Sequence, residues 1–336
     1  MTTRTRNFVI VSLTVLAVGL GTGLVAYYVG FPAGALGRQG GPEELAFVPR
    51  DATAIAFANV HEIMTSELRQ KVRRALPMQE NGQRELESRT GINIETDIDR
   101  VVACLYPDRA AGTKGAGMVL ARGRFDEVKI EALMREHGAQ VEEYKGKRVI
   151  ENHNIPQQVG DTVALTFLEP GLVAVGSGRS VRATSDLQTR EENRGEDVTR
   201  NPELMDLMRS LDGGNAWAIG RLDALRAGGR LPPQIANQLP AITWFSVTSR
   251  IDSDISGTLR ADSSDEEAAN NLRDVVRGFV ALAKLQAGNR PELQPMVQSL
   301  VLGGTGKSVA LTFSIPGSVL DAFGAHRESA EKPPAH

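Results

Sequence analysis

A glycine-rich run near the C-terminus has residue types that could cradle a phosphate group: Gly303-Gly304-Thr305-Gly306-Lys307-Ser308. A complete phosphate-binding loop also needs a glycine five residues before Gly306, and Val301 stands there. The loop must also be followed by a helix, because the N-terminal amides of that helix hold the phosphate. Residues 309–313 predict a strand instead. We therefore predict a tight hairpin turn at this run and no nucleotide site.

A second run follows a predicted strand and opens a predicted helix, which is the context of a dinucleotide-binding loop: Gly176-Ser177-Gly178. Val181 occupies the third glycine position of that pattern, where its side chain would obstruct a pyrophosphate. Ser177 is not the serine of a nucleophile elbow either, because Val175 and Arg179 stand where that motif requires glycine. We predict a glycine-rich structural turn.

The five histidines show none of the paired spacings of common metal sites; they are His61, His137, His153, His326 and His336. The single cysteine, Cys104, excludes an intramolecular disulfide and a four-cysteine zinc site. It lies in an apolar run with strand character, which favours a buried, unreactive thiol. The sequence thus predicts no catalytic, cofactor-binding or metal-binding residue. It leaves open an active site assembled from residues far apart in the chain.

The charge balance argues against nucleic-acid binding. The 336 residues include 38 basic and 41 acidic side chains, which gives a formal charge of −3. The two signs are interleaved, so there is no basic field to attract a phosphate backbone. Aromatic residues make up only 5% of the chain, which also disfavours surfaces that stack on bases.

Residues 8–30 form an uncharged apolar run, which would determine on which side of a membrane the rest of the chain lies. A helix of this length crosses a hydrocarbon core of about 30 Å. Arg4 and Arg6 favour a cytoplasmic N-terminus for residues 1–7. We predict a single-pass anchor in a bacterial cytoplasmic membrane with the C-terminal region outside the cytoplasm. Cleavage after Ala35 stays open as an alternative, because residues 33–35 have the A-x-A form of a signal-peptidase site.

Two further contacts are predicted at the membrane. Gly19 and Gly23 have the G-x-x-x-G spacing that lets two membrane helices pack closely and so allows a homodimer, although small residues are common in membrane helices in any case. A basic run lies largely off the apolar stripe of its predicted helix. Its side chains are expected to be solvated or to contact anionic lipid headgroups; they are Arg69, Lys71, Arg73 and Arg74.

The chain between the anchor and the C-terminus alternates strand and helix signals. Residues 31–44 are rich in Gly and Pro and predict a flexible linker, while residues 324–336 predict a disordered tail. Turn signals at Lys145-Gly146 and Pro170-Gly171 predict tight hairpins. Strands joined in this way favour antiparallel sheets covered by amphipathic helices. The predicted fold class is therefore α+β.

Two helices are predicted from capping boxes, at Asn59 with Glu62 and at Ser264 with Glu267. The first helix carries an apolar stripe that recurs at every fourth residue: Met64, Leu68, Val72 and Leu76. The second carries a similar stripe: Leu272, Val276, Phe279 and Leu282. Each stripe is expected to pack on a sheet.

Two stretches match with identical spacing, which indicates an internal repeat. The first is Pro202-Glu203-Leu204 with Ser210-Leu211, and the second is Pro291-Glu292-Leu293 with Ser299-Leu300. Each is followed by a Gly-Gly pair and then a predicted strand. We predict two related α+β lobes, residues 45–190 and 191–323. Common helix punctuation is the alternative source of the match.

The start of the soluble region has a Pro-x-Asp-Ala sequence that leads into a strand: Phe47-Val48-Pro49-Arg50-Asp51-Ala52. It resembles membrane-anchored bacterial proteins in families of unknown function. Further similar stretches punctuate the region: Gly123-Arg124-Phe125-Asp126, Tyr144-Lys145-Gly146 and Gly171-Leu172-Val173-Ala174-Val175-Gly176. The resemblance implies an extracytoplasmic α+β protein and transfers no active site.

These observations favour a membrane-tethered binding or interaction protein of the bacterial envelope, without catalytic activity or cofactor and with an unknown ligand. One alternative is an envelope hydrolase whose site is assembled from dispersed residues, and a polar cleft with perturbed carboxylates would mark it. The other is a lipid-handling protein, which a continuous apolar groove would mark. The expected partners are the membrane and an envelope protein or lipid.

Overall fold

The computed structural model describes residues 41–75, 87, 92–107, 116–152, 163–189, 196–223, 242–288 and 290–319. The predicted cytoplasmic N-terminus (1–7), membrane helix (8–30) and tail (324–336) lie outside the described residues, as do Gly19 and Gly23. None of the helices within the described ranges has the length and apolar character needed to cross a membrane.

The described residues form one antiparallel sheet of twelve strands. The strands are β1 (Ala54–Ala58), β2 (Ile98–Tyr106), β3 (Ala116–Gly123), β4 (Gln140–Tyr144), β5 (Lys147–Asn152), β6 (Val163–Glu169), β7 (Leu172–Gly176), β8 (Ala216–Arg221), β9 (Ile242–Ile251), β10 (Ile255–Ser263), β11 (Val301–Gly303) and β12 (Ser308–Ile315).

Eight α-helices and three short 3-10 helices have both of their ends in the described ranges. The α-helices are α1 (Val60–Met64), α2 (Glu67–Ala75), α3 (Ile94–Asp97), α4 (Glu127–Glu136), α5 (Gly178–Thr189), α6 (Pro202–Arg209), α7 (Glu266–Ala287) and α8 (Gln294–Gln298). The 3-10 helices are Glu43–Phe47, Val198–Arg200 and Pro291–Leu293. A large antiparallel sheet with helices packed on it confirms the predicted α+β class.

The sheet is continuous across the expected boundary between residues 190 and 191. Its strand order is β11-β12-β10-β9-β8-β1-β2-β3-β7-β6-β5-β4. Strand β1 pairs with β8 in the interior of the sheet, and Ala56 lies opposite Ala218. Counted outward from this pair, seven strands lie on one side (β1-β2-β3-β7-β6-β5-β4) and five on the other (β8-β9-β10-β12-β11). The strand order therefore places β8 in correspondence with β1.

The repeated Pro-Glu-Leu motif leads to a different correspondence from the strand order. Pro202 opens the helix α6, whereas Pro291 opens a 3-10 turn followed by the five-residue α8. The strand after the first copy is β8, an inner strand between β9 and β1, and the strand after the second is β12, next to the edge strand β11. The matched sequences are therefore similar helix starts at unlike positions in the fold.

Both faces of the sheet are covered by helices. One face carries Ile55, Phe57 and Trp217 and packs against α6 and the 3-10 helix at residues 43–47. The opposite face carries Ala58 and Val101, and α1 and α4 cover it. Phe245 and Val309 extend this second face beyond β8, and α7 packs there. The helices α4 and α7 thus lie on the same face, in the two halves of the sheet.

Three predicted features differ locally. The first predicted helix is split into α1 and α2, because the buried Ser66 interrupts it and its Oγ accepts a hydrogen bond from Arg69 N at 3.1 Å. The N-cap of α7 is Asp265 and not Ser264. The linker predicted for residues 31–44 ends in ordered structure, since Glu43 opens a 3-10 helix in which Glu44 is fully buried.

Candidate functional site

The helix α7 is the longest among the described residues, and its start is well defined. The Asp265 carboxylate accepts a hydrogen bond from Ala268 N at 2.8 Å and another from the Ser264 hydroxyl at 2.9 Å. These hydrogen bonds lower the pKa of Asp265 below its ordinary value. At about 1.5 Å per residue, the 22 residues of α7 span about 33 Å. The helix can therefore cover the full length of β10.

Two apolar stripes run along α7. The inner stripe (Ala269, Leu272 and Val276) packs on the sheet against residues such as Leu222 and Val309. The outer stripe consists of Val275, Phe279, Leu282 and Leu285, whose side chains are 42–75% exposed. It lies beside the inner stripe on the circumference of the helix. The prediction that Phe279 and Leu282 pack on the sheet is wrong, because the inner stripe alone faces the sheet.

The outer stripe has no charged residue within it. At about 100° per residue, its four side chains fall within an arc of about 120° and a length of about 15 Å. Arg277 and Lys284 lie about 160–180° around the helix from Val275. Arg277 pairs with Asp274 at 2.8 Å. The exposed surface of the stripe is therefore both apolar and electrically neutral.

Gly278 lies inside the same exposed face, between Val275 and Leu282. Glycine in a helix interior costs about 1 kcal/mol relative to alanine. Apart from its chain neighbours and the adjacent backbone of α7 itself, no described atom lies within 4 Å of the position that a Cβ at Gly278 would take. Packing within the described part of the chain therefore does not require glycine there. The residue leaves a shallow notch in the outer stripe, where the backbone of a second helix could approach.

This arrangement is suited to binding and not to bond-making chemistry. Contiguous exposed apolar surface on a soluble domain commonly marks a site of interaction. The charged residues in this part of α7, Arg273, Asp274 and Arg277, form hydrogen bonds or ion pairs within the chain. The outer stripe is therefore the candidate interaction surface. Its sequence signal was the apolar periodicity of α7, which does not distinguish buried positions from exposed ones.

A second candidate is a charge cluster around the buried Glu44, which also includes Arg100, Arg122 and Glu169. Arg100 and Arg122 are directly opposite each other on β2 and β3. The Glu44 carboxylate lies against both, with Oε1 2.5 Å from Arg122 Nε and 3.4 Å from Arg100. Arg122 also pairs with Glu169 at 2.7 Å. The cluster therefore places a fully buried carboxylate between two like charges that would otherwise repel.

The Glu44 cluster positions the start of the folded region. Burial acts to lower the pKa of Arg122, but the hydrogen bonds to Glu169 and Glu44 outweigh it and raise that pKa. Arg122 therefore stays charged and holds Glu44 in place. Glu44 Oε2 is buried and has no hydrogen-bond partner among the described residues. Sequence reasoning missed the cluster, because Glu44 follows a Gly- and Pro-rich stretch and its partners are distant in the chain.

The basic residues predicted to contact headgroups lie on α2 and differ in their surroundings. Arg69 forms an ion pair with Glu95 and is 20% exposed, so its guanidinium is already engaged. Lys71 is exposed. The side chains of Arg73 and Arg74 lie outside the described residues. Leu68 N donates to Asp252 O at 2.7 Å, which places α2 at the end of the sheet where β9 ends. Of the two side chains in this run that the structure describes, that of Lys71 is therefore the exposed one.

The two glycine-rich runs form the predicted turns. Residues 304–307 connect β11 to β12, with φ of +88° at Gly304 and +56° at Gly306, and a strand follows as expected. Residues 176–178 connect β7 to α5, and β7 lies between two antiparallel neighbours. Ser177 Oγ is 2.7 Å from Ser180 Oγ, so this hydroxyl is used locally in capping the helix. The hairpin-turn prediction is confirmed at the first run, and the structural-turn prediction at the second.

Two of the five histidines, His61 and His137, lie within the described residues. His61 is exposed on α1, and the His137 ring contacts Leu133 O at 2.8 Å at the C-terminal end of α4. His153, His326 and His336 fall outside the described residues. Within the described ranges, no three His, Cys, Asp or Glu side chains form a group that could hold a metal ion.

Cys104 is buried in the core, as predicted, and burial raises the pKa of its thiol from 9.0 to about 12. The unfolded thiol ionises first, so its contribution to stability is present below about pH 9 and is lost as pH rises towards 12. We expect the free energy of unfolding to fall by about 1.4 kcal/mol per pH unit above pH 9 from this group. Denaturant unfolding between pH 7 and 10 measures this.

A Cys104→Ala variant provides the control, since lysine and tyrosine titration affects both proteins equally. The difference between the two free energies should be constant up to about pH 9 and should then change in favour of the variant. Parallel pH dependences up to pH 10 would contradict a buried, protonated Cys104.

No family model, curated protein or solved structure matches this chain significantly.

Proposed function

We propose that this chain is a membrane-tethered interaction protein of the bacterial envelope, without catalytic activity, that binds a protein partner through the outer stripe of α7. The observation that carries the proposal is the exposed, uncharged apolar face of Val275, Phe279, Leu282 and Leu285. Such a face offers no charge to a charged ligand. Its burial against another apolar surface is favourable, because apolar area is removed from water. A helix or a sheet face of a partner protein has the matching chemistry.

The tether rests on the apolar run at residues 8–30. Ten residues separate its end from Gly41, where the described chain begins, and the eleven Cα–Cα steps from residue 30 to Gly41 can span at most about 40 Å. Glu44 fixes the chain at the end of the sheet where β2 begins and β3 ends. The residues of α2 lie at this same end, so Lys71 would face the headgroups of the membrane.

The proposal also includes an origin by duplication, with the two related units being β1–β7 and β8–β12. Each unit has three consecutive antiparallel strands, then a helix with an aspartate N-cap, Asp126 in α4 and Asp265 in α7. In each unit the last strand returns beside the third, as β7 pairs with β3 and β12 pairs with β10. This common order supports duplication better than the Pro-Glu-Leu match does.

Photo-cross-linking tests the proposed function in the full-length chain. A benzoylphenylalanine at Phe279 is expected to yield a protein adduct in the membrane fraction of illuminated bacterial cells. The matched control is Val128 on α4, which is 82% exposed but isolated. Adducts at Phe279 in excess of those at Val128 support the proposal. Equal yields at both positions, a lipid adduct alone, or recovery of the chain in the soluble fraction would contradict it.

A further inference from the structure

We infer that the partner of the outer stripe is a second copy of this chain, so that two copies form a two-fold symmetric dimer through α7. This inference rests on the proposed function above and specifies its partner. In a two-fold contact the same surface patch is used by both copies, and the patch must therefore be complementary to itself. Its charge, its shape and its area all bear on this requirement.

The charge of α7 permits self-association. The helix has three acidic residues (Glu266, Glu267 and Asp274) and three basic residues (Arg273, Arg277 and Lys284), so its net charge is zero. Arg273 donates to Gly306 O and Ser308 O at 2.8 Å, which holds its guanidinium against the hairpin turn. Two copies brought together by the outer stripe therefore place no uncompensated like charges in contact. A strongly charged partner would find no complementary charge on this face.

The shape of the stripe also favours a second helix of the same kind. Val275, Phe279 and Leu282 follow the four-then-three spacing of a helix–helix seam. Gly278 and Ala281 are small residues on the same exposed side, and they let a facing backbone approach closely. Because Gly278 has open space around it within the described chain, its notch is available to a side chain of the other copy. The face thus has large side chains that could insert into a partner helix and a notch that could receive a side chain from it.

The area of the stripe predicts a weak contact in dilute solution. Stable interfaces bury about 800 Å² on each partner, and four partly exposed side chains supply less than this. A shared membrane would raise the effective concentration of the copies and offset the deficit. Gly19 and Gly23 have the spacing of a second close contact in the apolar run. The dimer is therefore expected for the full chain in the membrane.

Disulfide cross-linking of the full-length chain in isolated membranes tests the dimer. A Leu282→Cys variant is expected to give an oxidant-dependent band of twice the chain mass. The native Cys104 is buried, so it contributes no background. The matched control is Val128→Cys, which exposes a thiol on α4 away from the stripe. At least a tenfold excess of the dimer band for Leu282→Cys over Val128→Cys supports the inference.

A Gly278→Glu substitution in the Leu282→Cys background separates association from folding. Glutamate favours helix more than glycine does, and its Cβ would meet open space, so the thermal midpoint should stay equal or rise by about 2–4 °C. The added bulk and charge in the notch should lower the yield of cross-linked dimer at least tenfold. An unchanged yield would overturn the inference.

The remaining outcomes distinguish this inference from the proposed function. A dimer band for Leu282→Cys no stronger than the control overturns the self-association. If Phe279 photo-adducts of another mass are present at the same time, the proposed function stands with a different partner protein. If Phe279 gives neither kind of adduct, both the inference and the proposed function fail.

Discussion

Replacement of Arg122 by methionine is expected to lower the free energy of unfolding by about 3–5 kcal/mol, the cost of leaving a buried charge without its partner. Glu44 is fully buried, and its closest cationic contact is Arg122 Nε at 2.5 Å. Arg100 remains at 3.4 Å, but it is partly exposed and does not replace that hydrogen bond. Denaturant unfolding followed by circular dichroism measures the change.

The double variant Arg122→Met with Glu44→Met tests the cause of this loss. It removes the unpaired carboxylate as well, and it should recover most of the stability that Arg122→Met loses. The matched control is Arg209→Met, which breaks a pair with Asp206 in which both side chains are more than 60% exposed. That change should cost at most about 1 kcal/mol. Equal losses for Arg122→Met and Arg209→Met would show that the burial of Glu44 does not matter.

Replacement of Trp217 by alanine is expected to cost about 3–5 kcal/mol, as for other large buried aromatic residues. Trp217 is 3% exposed, and its ring centroid lies 5.5 Å from that of Phe57 on the neighbouring β1. The side chain therefore supports the β1–β8 pair that joins the two halves of the sheet. Because the sheet is continuous through this pair, both halves should unfold together.

The chain has two tryptophans, so this variant leaves Trp244 as the only one. Its fluorescence and the circular dichroism of the whole sheet should give coincident denaturant transitions. A Trp217→Phe variant should lose less stability, because the buried indole Nε1 has no hydrogen-bond partner among the described residues to be lost. A loss below 1 kcal/mol for Trp217→Ala, or two separate transitions, would contradict the central role of this strand pair.

The local elements of the fold were predictable because their causes are local. The Lys145-Gly146 turn has φ of +50° and +76°, and Gly171 has +76°, so these residue types report the turn directly. Asn59 Oδ1 accepts from Glu62 N at 3.1 Å, as a capping box requires. Such contacts involve neighbours in the chain, and short patterns are sufficient to identify them.

The sheet order and the candidate site depended on distant contacts. No short pattern shows that β1 pairs with β8, because both strands are alternating small and large apolar residues that would suit several neighbours. Leu272 and Leu282 are the same residue type on one helix, yet one is 6% and the other 45% exposed. The position of the sheet beneath α7 decides this difference. Apolar periodicity predicts the helix and not which part of its apolar arc the sheet covers.

Within the part of the chain that the structure describes, β4 and β11 are the outermost strands of the sheet, and they limit how copies of this protein can assemble. Exposed outermost strands can pair between molecules and let a sheet grow into a fibre. Strand β4 carries the exposed Glu142 and Glu143, so a second β4 would bring carboxylates together. Strand β11 has only three residues and offers too few backbone groups for stable pairing. Growth of a polymer by strand pairing is therefore disfavoured at both edges of the sheet. Association through α7 is a two-fold contact that uses the same surface on both copies, so it ends at a dimer.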